Sequence, residues 1–145
     1  MQNSGETYTL FFDGCSKGNP GLAGAGAVLY KNQIEIYAQS SFVGTKESNN
    51  LAEYHGLLLG LEYFASMFNN CATMSLHIKG DSMLVIKHMK GEYKVSSPRL
   101  KPLYERAKEL EKSIGKVSYE HIYRENNKRA DELANQGLLM MKNNL

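Results

Sequence analysis

Cysteine is scarce: Cys15 and Cys71 are the only two in the chain. They are too few for a secreted disulfide scaffold and have no metal-ligand spacing, so a reducing compartment is expected. An excess of one charge is also missing. The formal net charge is only +2, so no whole-molecule field announces a nucleic-acid partner, and any such partner must be met by a local patch. No apolar run approaches membrane-spanning length, so no membrane association is expected. The polar start, MQNSGETYTL, has neither a basic n-region nor an apolar h-region, so no signal peptide is expected. There is no tryptophan, internal repeat, long linker or low-complexity tract. Apolar residues make up 42% of the chain and charged residues 22%, an ordinary globular balance. At 145 residues, a single domain over 1–145 is expected, with its ordered core over about 7–141.

The apolar pattern predicts a strand over residues 7–13, with both faces largely apolar, as in a strand covered on both sides. Two more strands, 23–31 and 34–42, are separated only by Asn32-Gln33, which predicts a tight hairpin. A helix follows from about Asn50 to Asn69, then a strand over 74–80 that leads directly into a helical pattern over 81–90. Ser97 and Pro98 mark a helix start, and that helix stops at Gly115. A short strand over 116–123 and a helix from about Asn127 to Met141 complete the chain. The order β-β-β-α-β-α-α-β-α predicts an α/β fold with a mixed five-stranded sheet. Three antiparallel strands come first, then two parallel ones, with helices on both faces. In such sheets, sites gather at the carboxyl ends of the parallel strands.

Between the first two strands runs a glycine-rich stretch, GNPGLAGAGAVLY. A phosphate-binding loop needs its glycines to open a helix, whose amides hold the phosphate. Here they open a strand, and no Gly-Lys-Ser/Thr follows. A turn of unusual backbone geometry, with small residues for close packing, is the expected role.

Four acids stand where acids are costly. Asp13 ends the first predicted strand and Asp81 follows the fourth. Glu53 shares a helical stripe with Leu57, Leu61 and Phe64, and Asp131 shares one with Ala134, Leu138 and Met141. Singly, the helical acids are explained by the helix dipole, and Asp81 by an N-cap for the helix at Ser82. Together, they can be brought to one sheet edge, where they would repel and stay partly protonated unless cations were present. Mg²⁺ suits such a site, because it binds few carboxylates and takes the rest of its shell from water and substrate phosphate. A pair of such ions forms a phosphodiester-cleaving clamp.

The segments FFDGCSKGNPGLAGAGAVL, ESNNLAEYHGLLLGLE, IKGDSMLVIKHMKGEY and RENNKRADELAN closely resemble the signature segments of type 1 ribonuclease H, in the right order over nearly the whole chain. The resemblance implies an endonuclease that cuts the RNA strand of RNA/DNA hybrids and leaves 5′-phosphate and 3′-hydroxyl ends. It implies two Mg²⁺ ions, with Mn²⁺ as a substitute, held by Asp13, Glu53, Asp81 and Asp131. It places minor-groove contacts to 2′-hydroxyls at Asn19, Asn49 and Asn50, helped by backbone near Gly14, Cys15 and Ser16. Amides can both donate to a 2′-hydroxyl and accept from it. Lys46 and Ser48 fall where the family grips a DNA-strand phosphate. A monomer is expected, in the cytoplasm or wherever the genome replicates.

Two departures from the family pattern matter. The long histidine-bearing loop of many members is replaced by the short EHIYRENNKRAD. His121 is therefore expected away from the catalytic edge, with Arg124 reaching the scissile phosphate instead. His55, His77 and His88 are read as structural or surface residues. The basic, tryptophan-bearing protrusion is also missing. Only GEYKVSS connects the second and third helices, although Lys87, Lys90, Lys94, Arg99, Lys101, Arg106 and Lys108 outnumber Glu92 and Glu105 around it. Weaker or less selective hybrid binding is expected. A catalytically silent binding module of this fold is disfavoured, because it has no need of four repelling carboxylates. Integrase-, transposase- or resolvase-type chemistry is disfavoured by the Asp-Glu-Asp-Asp order, the Asn49-Asn50 pair and the small size.

Overall fold

The computed structural model describes residues 6–68 and 70–143, with side chains to residue 140. The polar start over residues 1–5, the predicted helix end at Asn69 and the Met141 side chain lie outside the described residues.

Five strands form one sheet in the order β3-β2-β1-β4-β5. β1 (Tyr8–Lys17), β2 (Gly21–Lys31) and β3 (Ile34–Glu47) make the antiparallel meander. β4 (Ser75–Gly80) pairs parallel to β1, and β5 (Lys116–His121) parallel to β4. The expected mixed sheet is therefore present. Asn32 and Gln33 have positive φ, 50° and 71°, which suits the tight two-residue hairpin turn.

The predicted end of the first strand is corrected. β1 continues four residues past Asp13 to Lys17, because Gly14–Lys17 pair with Leu22–Ala25 in the hairpin. Its parallel ladder with β4, however, stops at Phe12↔Gly80. Asp13 and Asp81 each follow the last pair of that ladder by one residue, so the two acids meet at the carboxyl edge.

α1 (Asn49–Met67), α2 (Met83–Met89) and α3 (Lys101–Glu111) pack with the main core, in which Leu10, Phe12, Leu57, Leu61, Phe64, Ile78 and Ile86 are inaccessible or nearly so. α3 starts later than Ser97-Pro98 suggested. Those residues form a preceding turn in which the Leu100 amide donates to Ser97 Oγ and the Lys101 amide to the Ser97 carbonyl. α4 (Lys128–Asn143) packs on the opposite face of β1–β3, around Val28, Ala130 and Leu133. The glycine-rich stretch does allow close packing. A Cβ at Gly26 would lie 2.6 Å from the Ala134 backbone nitrogen and from Leu133 Cβ, so α4 can rest directly on β2. Among the described residues, no helix is long and apolar enough to cross a membrane.

Candidate active site

The close approach of α1 to β1 builds the site. A Cβ at Gly14 would lie 2.2 Å from the backbone of Ala52 and Glu53, so only glycine lets the helix come this near. The same contact sets Glu53 beside Asp13. Asp81 arrives from the end of β4, and it does not cap the next helix. Ser82 does, its Oγ accepting from the Val85 amide at 3.2 Å. The capping explanation for Asp81 is thereby removed. The Ser82 hydroxyl, at the start of α2, is near enough to Glu53 to favour its charged form.

Carboxylate oxygens of Asp13, Glu53 and Asp81 lie within 4.8 Å of one another. Asp131, one turn into α4, stands outside that trio, yet its charge reaches Asp13. All four acids line one open cleft of about 700 Å³. Burial, then the Asp81 charge, pushes Asp13 up to about 9, although the Gly14 amide donates to its Oδ1 at 2.9 Å. Burial and Asp81 push Glu53 up to about 8, opposed by the Ser82 hydroxyl and the Arg124 guanidinium. In the metal-free protein the cleft therefore holds protons at neutral pH. Hard oxygen donors gathered this closely fit a divalent cation such as Mg²⁺, which would replace those protons.

The other predicted residues divide into three groups. Gly14, Cys15, Ser16, Asn49 and Asn50 line the same cleft. Asn49 Oδ1 accepts from the Ser16 amide at 2.7 Å, and Asn19 Oδ1 accepts from the Asn49 amide at 2.9 Å. Among the described residues neither Nδ2 group has a protein acceptor, so both retain donors for a ligand. Ser48 is the N-cap of α1, its Oγ accepting from the Leu51 amide at 3.2 Å. Exposed Lys46 lies outside the cleft lining.

Arg124 lines the cleft from a 3₁₀ turn over Arg124–Asn126. His121 lines it too, which corrects the expectation that it lies away from the edge. The parallel register sets His121 beside Gly80, the residue before Asp81, so a short connection still delivers a histidine to the edge. Of the other histidines, His77 is on the surface, where it bonds Glu120 at 2.8 Å, and His88 is buried. Sequence reasoning missed Ser82 as the cap of α2 and as a neighbour of Glu53, although a serine directly after an edge acid and before a helix is the available signal.

Cations are largely engaged along residues 87–108. Lys87 and Lys90 share Glu92 at 2.8 and 3.4 Å, Arg99 pairs with Glu47, and Arg106 lies 3.5 Å from Glu62. Lys108 donates to the Met89 carbonyl at 2.7 Å and lies 3.4 Å from Glu111. Among the described residues, Lys94 and Lys101 have no carboxylate at ion-pair distance.

A family model for reverse transcriptase-like proteins matches residues 11–137. A bifunctional protein of Mycobacterium tuberculosis is 37% identical over 127 residues, which is 87% of this chain and 34% of that protein. Ribonuclease HI of Halobacterium salinarum is 37% identical over 129 residues, 88% of this chain and 62% of the relative. The chain thus spans about a third of the mycobacterial relative and less than two thirds of the archaeal one. Among solved structures, LC11-RNase H1 in complex with an RNA/DNA hybrid superposes with a TM-score of 0.87 at 30% identity, over 93% of this chain and 99% of that one. The N-terminal RNase H domain of the mycobacterial protein gives 0.86 at 32% identity, over 95% and 97%. With its mixed sheet and its acids at one edge, the chain belongs to the type 1 ribonuclease H family.

Proposed function

We propose that this chain is a metal-dependent endonuclease that hydrolyses the RNA strand of RNA/DNA hybrids. The observation that carries the reading is the trio Asp13, Glu53 and Asp81, within 4.8 Å of one another, in a cleft also lined by Asn49, Asn50 and Arg124. The relative crystallised with an RNA/DNA hybrid supports the substrate class.

In this reading the three clustered acids and Asp131 hold two Mg²⁺ ions, with Mn²⁺ able to substitute. When bound, the ions supply charge stabilisation at the scissile phosphate and a nucleophilic water at neutral pH. The chain's own residues do the rest. Ser82 favours the charged form of the Glu53 carboxylate. The Nδ2 groups of Asn19 and Asn49, and the exposed Asn50 amide, meet 2′-hydroxyls, the group that separates RNA from DNA. Backbone at Gly14, Cys15 and Ser16 lies along the same path. Lys46 and Ser48 grip a phosphate of the DNA strand. Arg124 forks onto the phosphate being cut. Water attacks phosphorus and the 3′-oxygen departs, which leaves 5′-phosphate and 3′-hydroxyl ends. The active form is a monomer working in a reducing, cytoplasmic compartment.

The test is incubation with labelled RNA/DNA hybrid, duplex RNA, duplex DNA and single-stranded RNA, with Mg²⁺, Mn²⁺ or EDTA. Cleavage confined to the RNA of the hybrid and lost in EDTA is expected. Intact hybrid with both metals would sink the proposal.

A further inference from the structure

A polar link joins the two helices that bracket the site, deep in the core. Tyr54 is fully buried and directly follows Glu53 on α1. His88, 4% exposed, is near the end of α2, six residues after the Ser82 cap. Tyr54 Oη and His88 Nδ1 are 2.7 Å apart, with the rings within 23° of parallel. The edge of the His88 pair is closed by Tyr104 of α3, at 6.5 Å between ring centroids. Burial holds the imidazole below its ordinary pKa and the Tyr54 phenol above its own, so both are neutral. The phenol oxygen and Nδ1 thus share a hydrogen bond between two neutral groups.

This link has a geometric consequence. Glu53 is fixed by α1, and Asp81 by the junction of β4 with α2. The separation of the two carboxylates therefore depends on how α2 is seated against α1. Ser82 stands close to Glu53 at the site, and Tyr54–His88 ties the helices about 9 Å further along α2. Contacts at both ends of α2 set an orientation where one leaves a pivot. A buried hydrogen bond also has one short range of allowed lengths, whereas apolar packing tolerates sliding.

From this we infer that Tyr54 and His88 are positioning residues for the metal-holding acids, acting through the seating of α2 and without touching metal or substrate. The inference rests on the nuclease reading above for its kinetic half, and on the acid cluster alone for its metal half.

The experiment titrates Mn²⁺ into metal-free protein by calorimetry and measures kcat and KM on hybrid, for wild type, Tyr54→Phe, His88→Met and His88→Gln. Tyr54→Phe and His88→Met should each lose roughly 10-fold in Mn²⁺ affinity and in kcat, as is usual when a group supporting a metal ligand is removed. KM for hybrid should be unchanged, because the asparagines are untouched. His88→Gln should recover most of both losses, because its amide can both donate to the Tyr54 hydroxyl and accept from it. Should Tyr54→Phe fail to fold, the contrast of His88→Gln with His88→Met decides alone. A lower Tm with unaltered Mn²⁺ affinity and kcat overturns the inference and reduces the pair to core packing. So does a rise in KM alone. A wild-type protein that binds Mn²⁺ and leaves hybrid intact overturns the nuclease reading instead, and the Mn²⁺ titration still decides the role of Tyr54.

Discussion

In the cleft, three carboxylates lie within 4.8 Å of one another, with exposed Arg124 the cation whose charge Glu53 feels. Along residues 87–108, five cations, Lys87, Lys90, Arg99, Arg106 and Lys108, each sit within 4.0 Å of a carboxylate. Both regions are charged, but only one is neutralised from within. Exposed ion pairs contribute little to stability, so the basic segment neither gains nor loses much by its arrangement. It also offers less free positive charge than its composition suggests. The cleft costs stability in the metal-free protein, and the fold sustains that cost with close glycine packing at Gly14. Charges left unresolved mark function more reliably than charges that are merely numerous.

The strongest way to break the comparison is to remove one clustered acid. Asp13→Asn should reduce Mg²⁺-dependent cleavage by on the order of 10³-fold or more, by loss of a metal-holding group at the reacting phosphate. It should not unfold the protein. The linkage runs in one direction. A carboxyl raised to about 9 when folded, against 3.8 unfolded, binds a proton that the unfolded chain has already lost. Metal-free wild type is thus favoured at low pH and loses stability as pH rises from about 4 toward 9, and Glu53, raised to about 8, adds to this. Melting in EDTA at pH 5 and pH 8 should show a drop in wild-type Tm that Mg²⁺ reverses and that is smaller in Asp13→Asn. Near-normal cleavage by the variant, or equal pH slopes, would undo the assignment.

A second test asks whether the cleft's cation or its histidine does more. Arg124→Ala should lose roughly 100-fold in single-turnover cleavage, because a fork onto the phosphate is gone. His121→Ala should lose less than about 10-fold. His121 lines the cleft, but its ring is held edge-on against Tyr123 at 5.8 Å. Profiles from pH 6 to 9 decide. If His121→Ala falls further than Arg124→Ala and its profile changes shape, His121 carries a proton in the reaction.

The third test separates substrate reading from metal holding. Asn49→Ala and Asn50→Ala together should raise KM or lower kcat/KM by about 1–2 kcal/mol for each lost contact. Mn²⁺ affinity should stay constant. Asn49 carries the larger share, since Ala there also frees the Ser16 amide that its Oδ1 now accepts from. Unaltered cleavage would leave Asn49 a purely structural brace between β1 and α1.

Much of this site was legible in the sequence because acids on apolar stripes violate burial, and burial is periodic. Glu53 with Leu57 and Leu61, and Asp131 with Ala134 and Leu138, follow from helix geometry alone. The order of elements likewise implied the parallel pair and its edge. Other features depend on register or on pairing across the fold. Gly14–Lys17 hold no large aliphatic or aromatic residue, so β1 reads as ending at Asp13, and only the hairpin extends it. Asp81 and Ser82 are equally good caps on paper, and the choice of Ser82 is a matter of where the β4 ladder stops. His121 was misplaced because a short connection was read without the β4–β5 register. The Tyr54–His88 bond spans 34 residues and leaves no local pattern at all.

The smallest effect tests the other half of the comparison. If the basic segment is mostly neutralised from within, only its unengaged cations can contact nucleic acid. Lys94→Ala and Lys101→Ala should each weaken hybrid binding by roughly 2–3-fold near 0.1 M salt, and each should lower the slope of log K against log salt by less than one. Lys90→Ala, which leaves Glu92 bound to Lys87, should change neither. Binding isotherms on uncleaved hybrid in Ca²⁺, at several salt concentrations, give both numbers. The informative outcome is the ranking. If Lys90→Ala costs as much as Lys94→Ala, the ion pairs along α2 open on binding, and the whole segment acts as one electrostatic surface despite its partners in the free protein.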